Sequence, residues 1–168
     1  DLQNARTSLV PDKTQLQEAK NRLENSINQQ TDTDGMTQDS LNAYNDKLTK
    51  ARQNLEKITQ VLNGQPTVAE IRQSTSEANS HTQALDTARS QLTLNREPYI
   101  NHINNESHLN NAQKDNFKAQ VNSAPNHNAL ETIKNKADTL NQSMTALSES
   151  IADYENQKQQ ENYLDASN

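Results

Sequence analysis

The stretch "LNAYNDKLTKARQNLEKITQVLNGQPTVAE" at residues 41–70 decides the fold. Its apolar residues Leu41, Tyr44, Leu48, Ala51, Leu55, Ile58 and Leu62 recur at alternating spacings of three and four. That rhythm lays one apolar stripe down a helix of about seven turns. The stripe stops at Asn63 and Gly64, where the glycine suits a left-handed cap and Pro66 bars continuation. "TVAE" at 67–70 then reads as a capping box, with the Thr67 hydroxyl facing the third amide and Glu70 reaching back. A helix that stops and restarts over so few residues predicts an antiparallel neighbour.

Working outward, Val68, Ile71, Thr75, Ala78, Thr82, Leu85 and Leu92 form a weaker stripe. Threonine at two core places predicts a helix that packs less deeply or crosses at a slant. Upstream, "PDKTQ" (11–15) reads as a helix entry with Asp12 as N-cap, and Leu16, Ala19, Leu23 and Ile27 give one face. "QQTDTDGMT" (29–37) is a polar loop. Helices over roughly 13–30, 38–62 and 68–93 with short connections predict an antiparallel three-helix bundle.

Beyond it, Pro98 fits a first helical turn, and Tyr99, Ile100 and Ile103 mark a short helix ended by "NNES" (104–107). In "LNNAQKDNFKAQVNSAPN" (109–126), Leu109, Ala112, Asn116, Phe117, Gln120 and Val121 share one side of a further short helix, which Pro125 closes. "NALE" (128–131) offers a second capping-box-like start. Leu130, Ile133, Ala137, Leu140, Met144, Leu147, Ile151 and Tyr154 then run unbroken to about residue 156, a helix near 45 Å long. Partners at 98–105 and 109–122 are too short to cover it, so its far end must pack on something else.

An internal comparison suggests what. "LQEAKNRLENSIN" (16–28) aligns with "LNQSMTALSESIA" (140–152), matching Leu16, Leu23, Ser26 and Ile27 to Leu140, Leu147, Ser150 and Ile151. The long helix is therefore expected to end one bundle and open the next. The expectation is an all-α chain of tandem antiparallel three-helix bundles joined by a long shared helix into an elongated rod. Its parts are 1–95, 96–138 and 139–168, the last being the truncated start of a further module. A hinge is expected near 93–98, where "TLNREP" interrupts the helical pattern.

Composition agrees with thin bundles. Leu, Ile, Val and Phe supply 28 of 168 residues, low enough to raise disorder, but the net charge of −6 is modest and the apolar residues are regularly placed. Two glycines, four prolines and no tryptophan argue against a β-rich fold. With no cysteine, the chain fits a cytosolic protein or a Gram-positive surface protein better than a disulfide-stapled secreted domain. No apolar run reaches the roughly 18 residues of a membrane span. The absence of an initiator methionine and signal peptide reads as a segment of something longer. Scattered Lys and Arg at a pI near 5.2 leave no basic stripe for nucleic acid or anionic membranes.

Each residue group that could carry chemistry also has a plain structural role. His81, His102, His108 and His127 lie in different elements with no i,i+4 pair among them, so no metal centre is expected. "DTDG" (32–35) mimics a calcium loop, but with Gly35 at the sixth position Leu41 falls where the bidentate glutamate belongs and Gln30 falls at the first. It reads as a turn. There is no G-x-S-x-G elbow, no cysteine nucleophile and no glycine-rich phosphate loop. Phe117 is expected as the core plug of the small bundle, against the alternative of an exposed anchor. Tyr44 and Tyr154 occupy core positions, while Tyr99 and Tyr163 are the freer ones. No catalytic, cofactor-binding or metal-binding residue is expected, and no enzyme.

The residues also carry a family resemblance. "KTQLQEAKNRLENSI" (13–27) with 41–92 resembles the FIVAR module strung along Gram-positive surface proteins. "LNNAQKDNFKAQVNSAPNHNALETIKNKADTLNQSM" (109–144) is similar to the GA-type module that alternates with it, the phrases "LNNAQK" and "IKNKADTLNQSM" being most specific. Together they resemble the repeat regions of giant staphylococcal cell-wall proteins. The resemblance implies a rod-like spacer or adhesin at the bacterial cell surface, in contact with neighbouring repeats and, weakly and by multivalency, with host extracellular matrix such as fibronectin. It carries an alternative, serum albumin capture by the GA-type bundle around 98–138, though no albumin-contact residue transfers. The isolated segment is expected to be a monomer.

Overall fold

The computed structural model describes residues 11–166, the side chains at 164 and 165 aside. Among these residues six helices follow one another: α1 (Thr14–Asn28), α2 (Gln38–Asn63), α3 (Val68–Ser90), α4 (Glu97–Asn105), α5 (Asn111–Ser123) and α6 (His127–Ala166). Contacts divide the chain into two units, one up to Thr93 and the other from Leu94.

In the first unit α1, α2 and α3 pack mutually. Leu16, Ala19, Leu23, Tyr44, Ala51, Ile58, Ile71, Ala78, Leu85 and Ala88 are buried together, with Leu48 and Leu55 partly covered beside them. The alternating stripe thus divides, Tyr44, Ala51 and Ile58 facing the centre and the intervening leucines flanking it. Hydrogen bonds at the ends fix an up-down-up order. Lys13, just before α1, donates to the carbonyls of Leu62 and Gly64 at the end of α2, at 2.8 and 2.9 Å. At the far end the start of α2 meets the end of α3, the Thr37 amide donating to the Thr93 carbonyl at 2.7 Å.

The Lys13 ammonium explains one departure from expectation. Gly64 is extended (φ −92°, ψ −162°) rather than left-handed, because orphan carbonyls of α2 are met by a cation from outside the helix. The left-handed glycine is Gly35 (φ 67°), in the loop before α2. Asp12 stands one residue ahead of the cap position that Lys13 holds, although its carboxylate accepts from the Thr14 amide at 2.9 Å. Hydrogen bonding from the Thr14 hydroxyl, and then from its amide, holds the Asp12 carboxyl below its ordinary value.

α3 also packs more deeply than its threonines suggest. Ile71, Ala78 and Leu85 are 5% exposed or less, while Thr75 and Thr82 return their hydroxyls to the carbonyls of Ile71 and Ala78 at 2.7 and 2.8 Å. A satisfied hydroxyl leaves the threonine methyl free to pack. The Thr67–Glu70 capping box forms as read, with bonds of 2.7 and 3.2 Å. Asn54, buried between Ala51 and Ile58, keeps an Oδ1 without a hydrogen-bond partner.

The second unit is smaller. Arg96 donates to the carbonyls of Val121 and Ala124, and Lys114 to that of Asn104, so α4 and α5 run antiparallel. Ile103, Val121, Leu130 and Ala137 are fully enclosed, with Leu109, Ala124 and Ile133 nearly so. α5 opens with a capping box that the sequence reading missed. Asn110 Oδ1 accepts from the Gln113 backbone amide while Gln113 Oε1 accepts from the Asn110 backbone amide, both at 2.9 Å. α6 is capped by Asn126, which accepts from the Ala129 amide at 2.9 Å, rather than by Asn128. α6 also continues ten residues past the expected end near 156, since neither glycine nor proline follows Pro125. From 146 to 163 every residue of α6 is exposed.

Candidate functional site

The polar chemistry of the second unit gathers along the seam between α4 and α6. The spacing "HINNE" (102–106) puts His102 of α4 one turn before Glu106, the residue that caps the helix, with Asp138 of α6 opposite. His102 Nε2 lies 2.5 Å from Asp138 Oδ1 and 2.9 Å from Glu106 Oε1. The other Asp138 oxygen accepts from the Lys134 ammonium at 2.8 Å. Burial pushes the Asp138 carboxyl up, but the hydrogen bonds from Lys134 and His102 outweigh it and hold it below its ordinary value. Donating that bond to Asp138 raises the Lys134 ammonium above its ordinary value.

Above and below lie two further contacts. Near the start of α4, the Tyr99 hydroxyl donates to the Glu131 carboxylate, and its ring meets His127 edge-on at 6.2 Å between centroids. Past its end, the His108 amide donates to Asn141 Oδ1 at 2.9 Å and its ring Nδ1 meets the Thr145 hydroxyl at 2.9 Å. Three of the four histidines thus line one seam, each with its own partners, although they belong to different elements. Tyr99, expected to be free, is bound there. The missed signal was His with Glu at i,i+4; Asp138, 36 residues from His102, could not have been paired with them by spacing.

His102, Glu106 and Asp138 are the described residues that could hold a cation together, their donor atoms lying within 4.8 Å of one another. As arranged, His102 bridges two carboxylates and Lys134 neutralises the remaining oxygen. The group ties two helices and presents no acid–base pair to an enclosed cleft. A hollow of about 460 Å³ beside Leu140 is lined by Thr132, Asn135, Lys136, Thr139 and Ser143, all from α6 alone. It is an uncovered helix face.

The aromatic candidates fall into place less evenly. Tyr44 is in the core. Phe117 is half-buried, neither sealed plug nor open anchor, while Ala112 and Asn116 of its expected inner face are exposed and Val121 takes the centre. Tyr154 corrects the expectation of a core position: it is 66% exposed, because no described residue packs on α6 at that height. Tyr163 is exposed as well. "DTDG" is a turn in which Asp32 accepts from the Asp34 amide at 3.0 Å. His81 is half-buried on α3, which belongs to the first unit.

The first unit has one polar cluster of its own. The Ser26 hydroxyl donates to Asp86 Oδ1 at 2.5 Å, and Arg89 bridges Asp86 (2.6 Å) to the Ser26 carbonyl (2.5 Å). Arg89 also donates to Thr31 Oγ1 at 2.9 Å.

Comparison with known proteins bears directly on this arrangement. The GA module matches residues 89–143, and the FIVAR domain matches 19–86 and again 143–168. The two FIVAR matches begin 124 residues apart, the offset that carries Leu16 onto Leu140 and Ser26 onto Ser150. The chain is 54% identical to the "Extracellular matrix-binding protein ebh" of Staphylococcus aureus (strain MRSA252), over 98% of its own length and 2% of that protein's. It is 53% identical to the "Extracellular matrix-binding protein EbhB" of strain Newman, over 98% of its own length and 4% of that protein's. It therefore spans only a few hundredths of these relatives. A crystal structure of the EbhA 756–1003 domain from Staphylococcus aureus covers 86% of this chain and 55% of that chain at 23% identity, with a TM-score of 0.45, too distant to carry an argument.

Proposed function

We propose, for a chain that belongs to the FIVAR-domain family and carries a GA module between its two FIVAR stretches, that it serves as a rod-forming spacer in a very long cell-wall-associated protein. Its family is one of surface repeat modules rather than of enzymes. One observation carries the reading: α6, 40 residues long, outruns α4 and α5, of 9 and 13 residues. A helix that leaves its own bundle with an apolar stripe still running is suited to join modules end to end. On this reading 1–95 is one module, 96–138 the next, and 139–168 opens a third.

The relatives are named for binding extracellular matrix, and we extend that to this chain as weak contact with host matrix protein, fibronectin foremost, multiplied by repetition. Small-angle scattering tests the spacer reading. An elongated monomer is expected, and a compact globule overturns it. The GA match favours a second reading, in which the small bundle captures a host protein such as serum albumin. Titration of the chain with albumin decides it: no binding at tens of micromolar removes that reading.

A further inference from the structure

Ser26, in the last turn of α1, is held by a clasp. Ser26 is 6% exposed, between the α1 face that buries Leu23 and the two side chains that grip it from α3. Asp86 takes its hydroxyl, and Arg89, one turn on, takes its carbonyl and neutralises Asp86. A buried hydroxyl must be paired, and a guanidinium at a helix C-terminus meets carbonyls that the helix leaves open. Sliding α3 by one turn along α1 would undo both, so the clasp fixes register as well as adding contact.

The same pattern stands open on α6. Leu140, Leu147, Ser150 and Ile151 repeat Leu16, Leu23, Ser26 and Ile27. Here Leu147 and Ile151 are 52% and 51% exposed, and the Ser150 hydroxyl turns back to the Ala146 carbonyl at 2.9 Å. We propose that this face is a docking surface for a helix hairpin of the α2–α3 kind from the same polypeptide, set in register by an Asp-x-x-Arg pair that takes Ser150 as Asp86 and Arg89 take Ser26. The proposal rests on the reading of 139–168 as the opening of a further module and names what that module's third helix must carry. Three observations point to this occupant: the first unit shows what covers the matched face, the FIVAR match resumes at 143 in the same offset, and the polar member of the pattern repeats with the apolar ones.

The test joins residues 29–93 of this chain directly after Ala152, so that the native hairpin is offered to α6 in the aligned register. The unmodified first unit in the same molecule is the control for folding. The appended hairpin is expected to become helical and to protect its amides from hydrogen exchange. Ser150→Ala should then lower the folding equilibrium of the appended module roughly tenfold, as a hydrogen bond to a charged group implies. The same substitution in the 168-residue chain should be silent. An appended segment that stays unfolded while the first unit folds overturns the docking surface. A folded one indifferent to Ser150→Ala overturns the clasp. If the 168-residue chain dimerises in sedimentation and Leu147→Asp with Ile151→Asp abolishes it, the occupant is a second copy and the proposal fails. The first two outcomes leave the scattering test of the spacer reading untouched, and a dimer would show in sedimentation before it is read in scattering.

Discussion

Leu23 and Leu147 hold the same place in matching stretches of α1 and α6, yet Leu23 is fully enclosed and Leu147 is half-exposed. Their helices differ in company. α1 is covered by two helices of 26 and 23 residues that run its whole length, whereas the partners of α6 end near Thr145. A stripe of period 3.6 states which face a helix can bury. Whether that face is buried depends on elements that can lie far away in the chain.

The sharpest way to break this comparison is Leu23→Ala. Leu23 sits at 0% exposure in a tightly filled core, so truncation should cost about 3 kcal/mol, transfer and cavity together. Denaturant unfolding of the first unit reads it directly. A loss under about 1 kcal/mol would mean that the core is loosely packed and that the contrast with Leu147 has little energetic content.

The second unit offers a contrast of another kind, since a charged seam stands beside its small core. Asp138→Asn removes the negative charge and one of the two oxygens that meet Lys134 and His102, and should cost about 1.5 kcal/mol at neutral pH, the low end for charged hydrogen bonds because the side chain is 27% exposed. The folded carboxyl is held below its ordinary value, so its stabilisation is present above that value and disappears as pH falls through the folded one. The gap between wild type and variant should therefore hold from neutral pH down to about 5 and close below about 4. Lys134, His102 and Glu106 are the charged and titratable groups facing it. A gap that persists unchanged in acid would show that the lost contacts are not those of the carboxylate.

Much of this was legible in local pattern, and the exceptions share a cause. The stripe from Leu41 to Leu62, the stop at Asn63 and the box at Thr67–Glu70 depend on neighbours within a few residues, and all appear where the spacing places them. The Asn110–Gln113 box was equally local but is written in amides, which a search for Ser/Thr with Glu passes over. Gly64 was misread because its cap comes from Lys13, 49 residues from the Leu62 carbonyl it also binds. The histidine seam and the exposure of Tyr154 likewise turn on which helix lies opposite, which no window of sequence contains. As a smaller test of the local half, Asn110→Ala should destabilise the second unit by about 0.5–1 kcal/mol, measured by thermal unfolding. No change would mean that water replaces the box at no cost.

The smallest expected effect is the most informative. Leu147→Ala in the 168-residue chain should change stability by less than about 0.5 kcal/mol, because the side chain already faces water and alanine is the better helix former. Leu23→Ala removes the same atoms from the same pattern, so the difference between the two substitutions, about 3 kcal/mol, isolates what the covering helices contribute. If Leu147→Ala instead costs more than 1 kcal/mol, the stripe on α6 is already covered in solution and the comparison collapses. If it is silent, the leucine's presence there answers to no contact within these residues, and its place in the repeated pattern is the physical reason left for it.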